Sequence, residues 1–314
     1  MYIEQGYKGD IGLWKYFLIP MGVIGLMVLN YIVIKLLNID IEALMASQIA
    51  EKGANQVLIE TLAPFIIGIT LLFLWVKYIH KQTITSLTTA RSKIDWKRFF
   101  FAFALWAVVS ISLTAVDMYF SPEDYMWNFK LEPFLYLVVI GVLLIPIQTS
   151  FEEYLFRGYM MQGIGIMAKN RWVPLLMTSI IFGLMHLGNP EVEEMGLILM
   201  VYYIGSGLFF GIMTLMDKGL ELALGFHAAN NLITLLFVTA DNTAFQVDAL
   251  YKNVAEPTLG FDAFLPVLII YPILLLIFAK KYKWQHWQER LFGKVQSKEE
   301  FLAPAPQNDS VLEH

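Results

Sequence analysis

The chain has 314 residues, 57% hydrophobic and 16% charged, with a mean hydropathy of +0.58, values that exclude disorder and are unusual for a soluble domain. It has no cysteine, which excludes disulfides, thiolate metal sites, cysteine catalysis and self-prenylation. The net charge of −5 carries little information because the charges are segregated, and no basic patch interleaved with aromatics points to nucleic acid.

The apolar residues come in long blocks, which predicts an all-α, polytopic helical membrane protein with about eight transmembrane helices. In chain order the spans are expected near 16–37, 56–79, 99–116, 133–155, 173–188, 196–216, 221–240 and 263–279. The first lacks a small-residue cleavage site and reads as retained rather than as a signal peptide. Residues 80–98 read as an interfacial segment anchored by Trp96, with His80 at the membrane edge. The fifth span is short, so it must tilt, extend or pack inside the bundle. Residues 1–295 are expected to form one transmembrane domain with its core at about 133–240. Residues 296–314, polar and holding Pro304 and Pro306, are expected to be a flexible tail. The final Leu312-Glu313-His314 resembles a tag scar and is set apart from functional reasoning.

Lysine and arginine give the expected orientation. Lys77, Lys81, Arg91, Lys93, Lys97 and Arg98 follow the second span, and Lys280, Lys281, Lys283, Arg290, Lys294 and Lys298 follow the last. Lys169, Arg171 and Lys218 fall on the same side if the spans alternate. The opposite loops are mainly acidic, as in Glu191, Glu193 and Glu194, or Asp241, Asp248 and Glu256. Both termini are therefore expected in the cytoplasm.

Three polar motifs interrupt the apolar blocks, and an ionisable group in lipid costs about 2.5 kcal/mol or more. The first is Phe151-Glu152-Glu153-Tyr154-Leu155-Phe156-Arg157-Gly158. Adjacent helical residues point about 100° apart, so the two carboxylates have different surroundings. Glu153 and Arg157 share a face in the favourable acid-before-base order and are expected to pair. Glu152 is then left as a carboxylate suited to general acid or base chemistry. The bland reading places this cluster at the end of the fourth span, where polar groups are cheap. The second motif sets His186 one turn after Phe182, where a lone histidine near a helix end is more often structural or interfacial than catalytic. The third sets His227 and Asn231 on one face of the seventh span. Imidazole and carboxamide together can donate to one oxyanion; the bland reading is interhelical glue. Asn230, off that face, reads as such glue, and Gly207 and Gly211 read as a close-packing pair. His286, between Trp284 and Trp287, reads as interfacial.

In this order, E-E-x-x-x-R, F-x-x-x-H and H-x-x-x-N resemble the CAAX-protease and bacteriocin-processing family of intramembrane proteases, which includes the type II CAAX prenyl proteases. The resemblance implies that Glu152 activates water with help from His186, that His227 and Asn231 hold the oxyanion, and that Glu153, Arg157 and Phe182 support them. Two mechanisms stay open. Glu152, His186 and His227 could hold zinc as two histidines and a carboxylate, or they could polarise water without a metal. The implied partners are the lipid bilayer and a peptide or protein substrate, for which lipidation is allowed but not required. The expected location is a bacterial cytoplasmic membrane, and His227, about two turns from the cytoplasmic end of its span, leads us to expect a polar cavity open to the cytoplasmic half. The competing readings are an ion- or proton-coupled transporter and a catalytically silent membrane scaffold.

Overall fold

The computed structural model describes residues 1–256 and 264–303. A short 3-10 turn, Ile3–Lys8, precedes the helices. These are α1 (Leu13–Leu36), α2 (Ile41–Lys52), α3 (Ala54–Leu74), α4 (Ile84–Thr88), α5 (Trp96–Phe120), α6 (Leu131–Glu153), α7 (Met161–Ala168), α8 (Trp172–Leu184), α9 (Pro190–Met195), α10 (Met200–Asp217), α11 (Glu221–Phe237), α12 (Tyr271–Tyr282), α13 (Trp287–Phe292) and α14 (Lys298–Leu302). The chain is an all-α polytopic membrane protein. Each expected span contains a helix; residue 263, the start of the last, lies outside the described residues.

Five stretches are long and apolar enough to cross a membrane: Trp14–Leu36, Ala54–Ile79, Trp96–Phe120, Leu131–Ala168 and Leu197–Asp217. The other three are shorter, with 13 residues in α8, 17 in α11 and 12 in α12, the last prolonged backwards by a π turn at Pro266–Ile270. Length and position go together. Only 6% of the apolar window of α1 is buried, against 50% for α10. The outer helices present apolar side chains to lipid; α8, α10 and α11 pack among other helices.

Two glycines set how closely these inner helices approach. A Cβ on Gly207 of α10 would lie 2.8 Å from the Ser179 carbonyl oxygen of α8. One on Gly225 of α11 would lie 2.1 Å from the Phe99 carbonyl oxygen of α5. Without a hydrophobic driving force in lipid, such backbone approach is the main source of packing energy.

The fourth span departs most from expectation. It does not end near residue 155. A π turn at Tyr154–Met160 carries α6 directly into α7, giving one 38-residue rod. At about 1.5 Å per residue that is ~57 Å, longer than a hydrocarbon core of about 30 Å. The charged cluster therefore lies within a helix. The rod can continue because Glu153 and Arg157 neutralise each other and the sequence through Met167 is again apolar.

The two ends of the bundle differ. On the acidic-loop side, strands β1 (Tyr125–Trp127), β2 (Val238–Thr239) and β3 (Tyr251–Asn253) form a small sheet in the order β1-β3-β2. β3 is antiparallel to β1 and parallel to β2, with Trp127 and Val238 both opposite Tyr251. On the basic-loop side, ion pairs tie the segments together. Arg91 meets Asp217 at 2.7 Å and Glu221 at 3.1 Å. Arg98 also reaches Asp217, and Trp284 Nε1 donates to the same carboxylate at 3.0 Å. The N-terminal turn is tucked into this end, where Glu4 accepts from Arg171 at 2.8 Å. His80 is not an interfacial anchor: it is 1% exposed. The chain folds back at residues 80–82 and sets the imidazole between the Asp10 carbonyl and the Tyr159 hydroxyl, 3.0 and 2.9 Å away. Within the expected tail, α14 carries a Ser297–Glu300 capping box, and Phe301 packs on Tyr7; residues 304–314 lie outside the described residues.

Candidate active site

A π turn lies at the charged cluster. Such turns are rare and often sit at functional sites. Here the turn follows Glu153 immediately and contains Arg157. Both side chains are fully buried, and Arg157 Nη1 donates to Glu153 Oε1 at 2.9 Å. The guanidinium also donates through Nη2 to the Gly207 carbonyl at 3.1 Å. Its carbon lies 4.2 Å from the centre of the Phe182 ring and 5.1 Å from that of Phe210. Phe182 thus supports the charge cluster from α8, through the face of its ring.

Glu153 has a second partner that its spacing in the chain does not reveal. Nδ1 of His227, on α11, lies 2.9 Å from Glu153 Oε1. A carboxylate only accepts, so Nδ1 carries a proton, and Nε2 is the nitrogen left for chemistry. Nε2 lies 3.6 Å from Glu152 Oε2. The two glutamates thus flank one imidazole: Glu153 orients it, and Glu152 faces its free nitrogen.

Glu152 is held from its other oxygen. Gln148 Nε2 donates to Oε1 at 2.5 Å, and Asn231 Nδ2 donates to Gln148 Oε1 at 3.0 Å. Asn231 Oδ1 accepts from Asn230 Nδ2 at 3.0 Å, and Asn230 Oδ1 accepts from Trp106 Nε1 of α5 at 3.0 Å. This chain fixes the amide orientations from α5 to α6. It also leaves one N–H of Asn231 uncommitted, since a carboxamide has two. Glu152 Oε2 is buried and has no hydrogen-bond partner among the described residues.

These groups line a cavity of about 430 Å³ that also takes in His186 and Tyr203. His186 lies in the turn after α8, with Nδ1 2.8 Å from the Phe182 carbonyl and its ring stacked on Tyr203 at 4.1 Å. It makes no hydrogen bond to Glu152 among the described residues; His227 is the histidine beside that carboxylate. The cavity does not extend as expected. Its walls include Asn189 and Glu191 and the loop 243–245, from the acidic side, and no residue of the basic segments. The ion pairs and the N-terminal turn occupy the other end of the bundle.

The zinc arrangement fits less well. Among the described residues no three His, Asp or Glu side chains are grouped to hold a metal. Glu152 and His227 approach each other, but His186 is turned onto Tyr203.

Residues 131–233 match the family model described as Type II CAAX prenyl endopeptidase Rce1-like. This segment is similar to the domains of that family. It runs from the start of α6 into α11 and holds Glu152, Glu153, Arg157, Phe182, His186, His227 and Asn231. At the level of the family, the Rce1-like domain is a protease domain. The whole chain is 28% identical over 289 residues to "Uncharacterized protein YyaK" of Bacillus subtilis (strain 168), covering 89% of this chain and 94% of that protein. No solved structure matches.

Sequence reading missed Gln148, Tyr203 and Glu191. Gln148 carried a usable signal, since a polar residue four before Glu152 in an apolar helix must share its face. Tyr203 and Glu191 gave none, because a tyrosine in a span and a glutamate in a loop are unremarkable alone.

Proposed function

We propose that the chain is an intramembrane endopeptidase that hydrolyses a peptide bond of a membrane-associated substrate. The observation that carries this reading is Glu152 Oε2, buried, unpartnered and 3.6 Å from His227 Nε2 on a cavity wall. Glu152 takes a proton from a water placed between Oε2 and the scissile carbonyl. The water oxygen attacks the carbonyl carbon, and the oxyanion accepts from the uncommitted N–H of Asn231. His227 adds a donor when its Nε2 is protonated, and His186 helps to position the water. Collapse breaks the C–N bond, and the proton held by Glu152 passes to the leaving amine. A helical substrate must unwind to enter, because its amide groups are otherwise committed to one another. The test is cleavage of a peptide library by detergent-purified protein with Glu152→Ala as control. A transporter or a silent scaffold gives no cleavage in either.

Asn231→Ala is expected to lower kcat about 10²–10³-fold with little change in KM, since the donor acts only on the oxyanion. Steady-state kinetics checks this, and full turnover in the variant would leave Asn231 as a packing residue.

We also propose cytoplasmic termini in a bacterial cytoplasmic membrane, supported by the basic segments sharing one side. Cysteines introduced as Ser92→Cys and Glu194→Cys, both at exposed positions, are expected to react with an impermeant maleimide from opposite sides. Labelling of both from the same side would overturn the orientation.

A further inference from the structure

The cavity holds a second carboxylate that the proposed chemistry does not use. Glu191, at the start of α9, lines the same space as Glu152. Its Oε1 is fixed by two donors, the Tyr203 hydroxyl at 2.5 Å and Asn189 Nδ2 at 2.9 Å. Its Oε2 is buried and has no hydrogen-bond partner among the described residues. No lysine or arginine lines the cavity, and Glu191 makes no ion pair among the described residues. Its neighbour Glu193 differs, since it meets Lys35 at the exposed surface. Glu191 therefore lines the cavity with one carboxylate oxygen held, the other buried without a partner, and no cation beside it among the described residues. A buried charge is stable only when paired. The stacking of His186 on Tyr203 places this carboxylate's support directly beside a residue of the proposed catalytic set.

We infer that Glu191 is a substrate-recognition residue that pairs with a lysine or arginine side chain near the scissile bond. This rests on the protease reading. The chemistry runs one way. An ammonium or guanidinium entering the cavity gains a charged hydrogen bond to Oε2, and desolvation strengthens that bond. An aspartate, a glutamate or a free C-terminal carboxylate at the same place meets like charge from Glu191 and Glu152. The enzyme should therefore prefer internal bonds beside basic residues over bonds close to a free carboxyl terminus.

The test uses the full chain in detergent and quenched-fluorescent peptides that differ at one position flanking the cleaved bond. Lysine, acetyl-lysine and glutamate are compared at each position in turn. At one position lysine is expected to exceed acetyl-lysine roughly tenfold in kcat/KM, with glutamate slower than both. Glu191→Gln should bring the lysine to acetyl-lysine ratio close to one, while Glu191→Asp should keep the preference. The ratio is read on one preparation, so partial misfolding of a variant does not enter it. If Glu191→Gln cannot be purified, the wild-type series decides the matter without it. Equal cleavage of all three peptides at every position, or a lysine preference that survives Glu191→Gln, overturns the inference while leaving the protease reading intact. Failure to cleave any peptide overturns both.

Discussion

Glu152→Gln is expected to abolish peptide cleavage while leaving the melting temperature within a few degrees of wild type. The substitution keeps the shape of the side chain and its contact with Gln148 but removes the proton acceptor. A buried carboxylate with an unsatisfied oxygen contributes little to stability, so exchanging it for an amide should not harm the fold. General base catalysis alone is worth about 10²–10⁴ in rate. A residue that also positions the water should bring turnover to background. The measurement is cleavage per mole of folded protein, with folding checked by size-exclusion profile and thermal unfolding in detergent. Near-normal turnover would end the assignment of Glu152 as base.

For the neighbouring glutamate the expectation is reversed in emphasis. Glu153→Gln should lose stability first and activity as a consequence. Glu153 Oε1 receives both Arg157 and His227, and the glutamate and arginine side chains are 0% exposed. Removing the charge leaves a guanidinium unpaired among aromatic rings, and breaking a buried pair in this way costs about 3–5 kcal/mol. His227 also exchanges a charged acceptor for a neutral amide oxygen, which holds the Nδ1 proton less firmly, so the protein that does fold should turn over slowly. Denaturant or thermal unfolding measures the first effect. A double variant, Glu153→Gln with Arg157→Met, separates the causes. It removes both charges, so it should recover part of the stability without recovering activity. A Glu153→Gln protein as stable as wild type would mean that the pair is not the strut of the site.

The contrast between these adjacent glutamates shows how far the sequence could be read. Helical geometry alone separates Glu152 from Glu153 and pairs the latter with Arg157, because the relevant distance is one turn of one helix. It also puts His227 and Asn231 on one face. What it could not supply is which face of α11 meets which face of α6. That is set by Gly225 against the Phe99 backbone and by the hydrogen-bond chain from Trp106 to Gln148. These are contacts between distant segments, so the sequence offers His227 for the oxyanion or for a zinc shared with Glu152 and His186 but does not reveal its bond to Glu153. The fourth span was ended too early for a related reason. A charged pair marks a boundary when its partners are unknown and ceases to do so once they neutralise each other. The walls of the cavity are equally illegible, because the position of His227 along its own helix says nothing of how the other helices close around it.

The ion pairs at the basic end have a practical consequence. If the lysines and arginines face the cytoplasm and the cavity opens beside its acidic-loop walls, the carboxylate proposed as the base would be reached from outside the cell or sideways from the lipid. A protein that has never left the cytoplasm would then be out of reach, however well its sequence fitted. An inhibitor too polar to cross a bilayer could still act on intact cells, and its potency there would match its potency on the purified enzyme. The same compound confined to the interior of sealed right-side-out vesicles would leave the enzyme fully active.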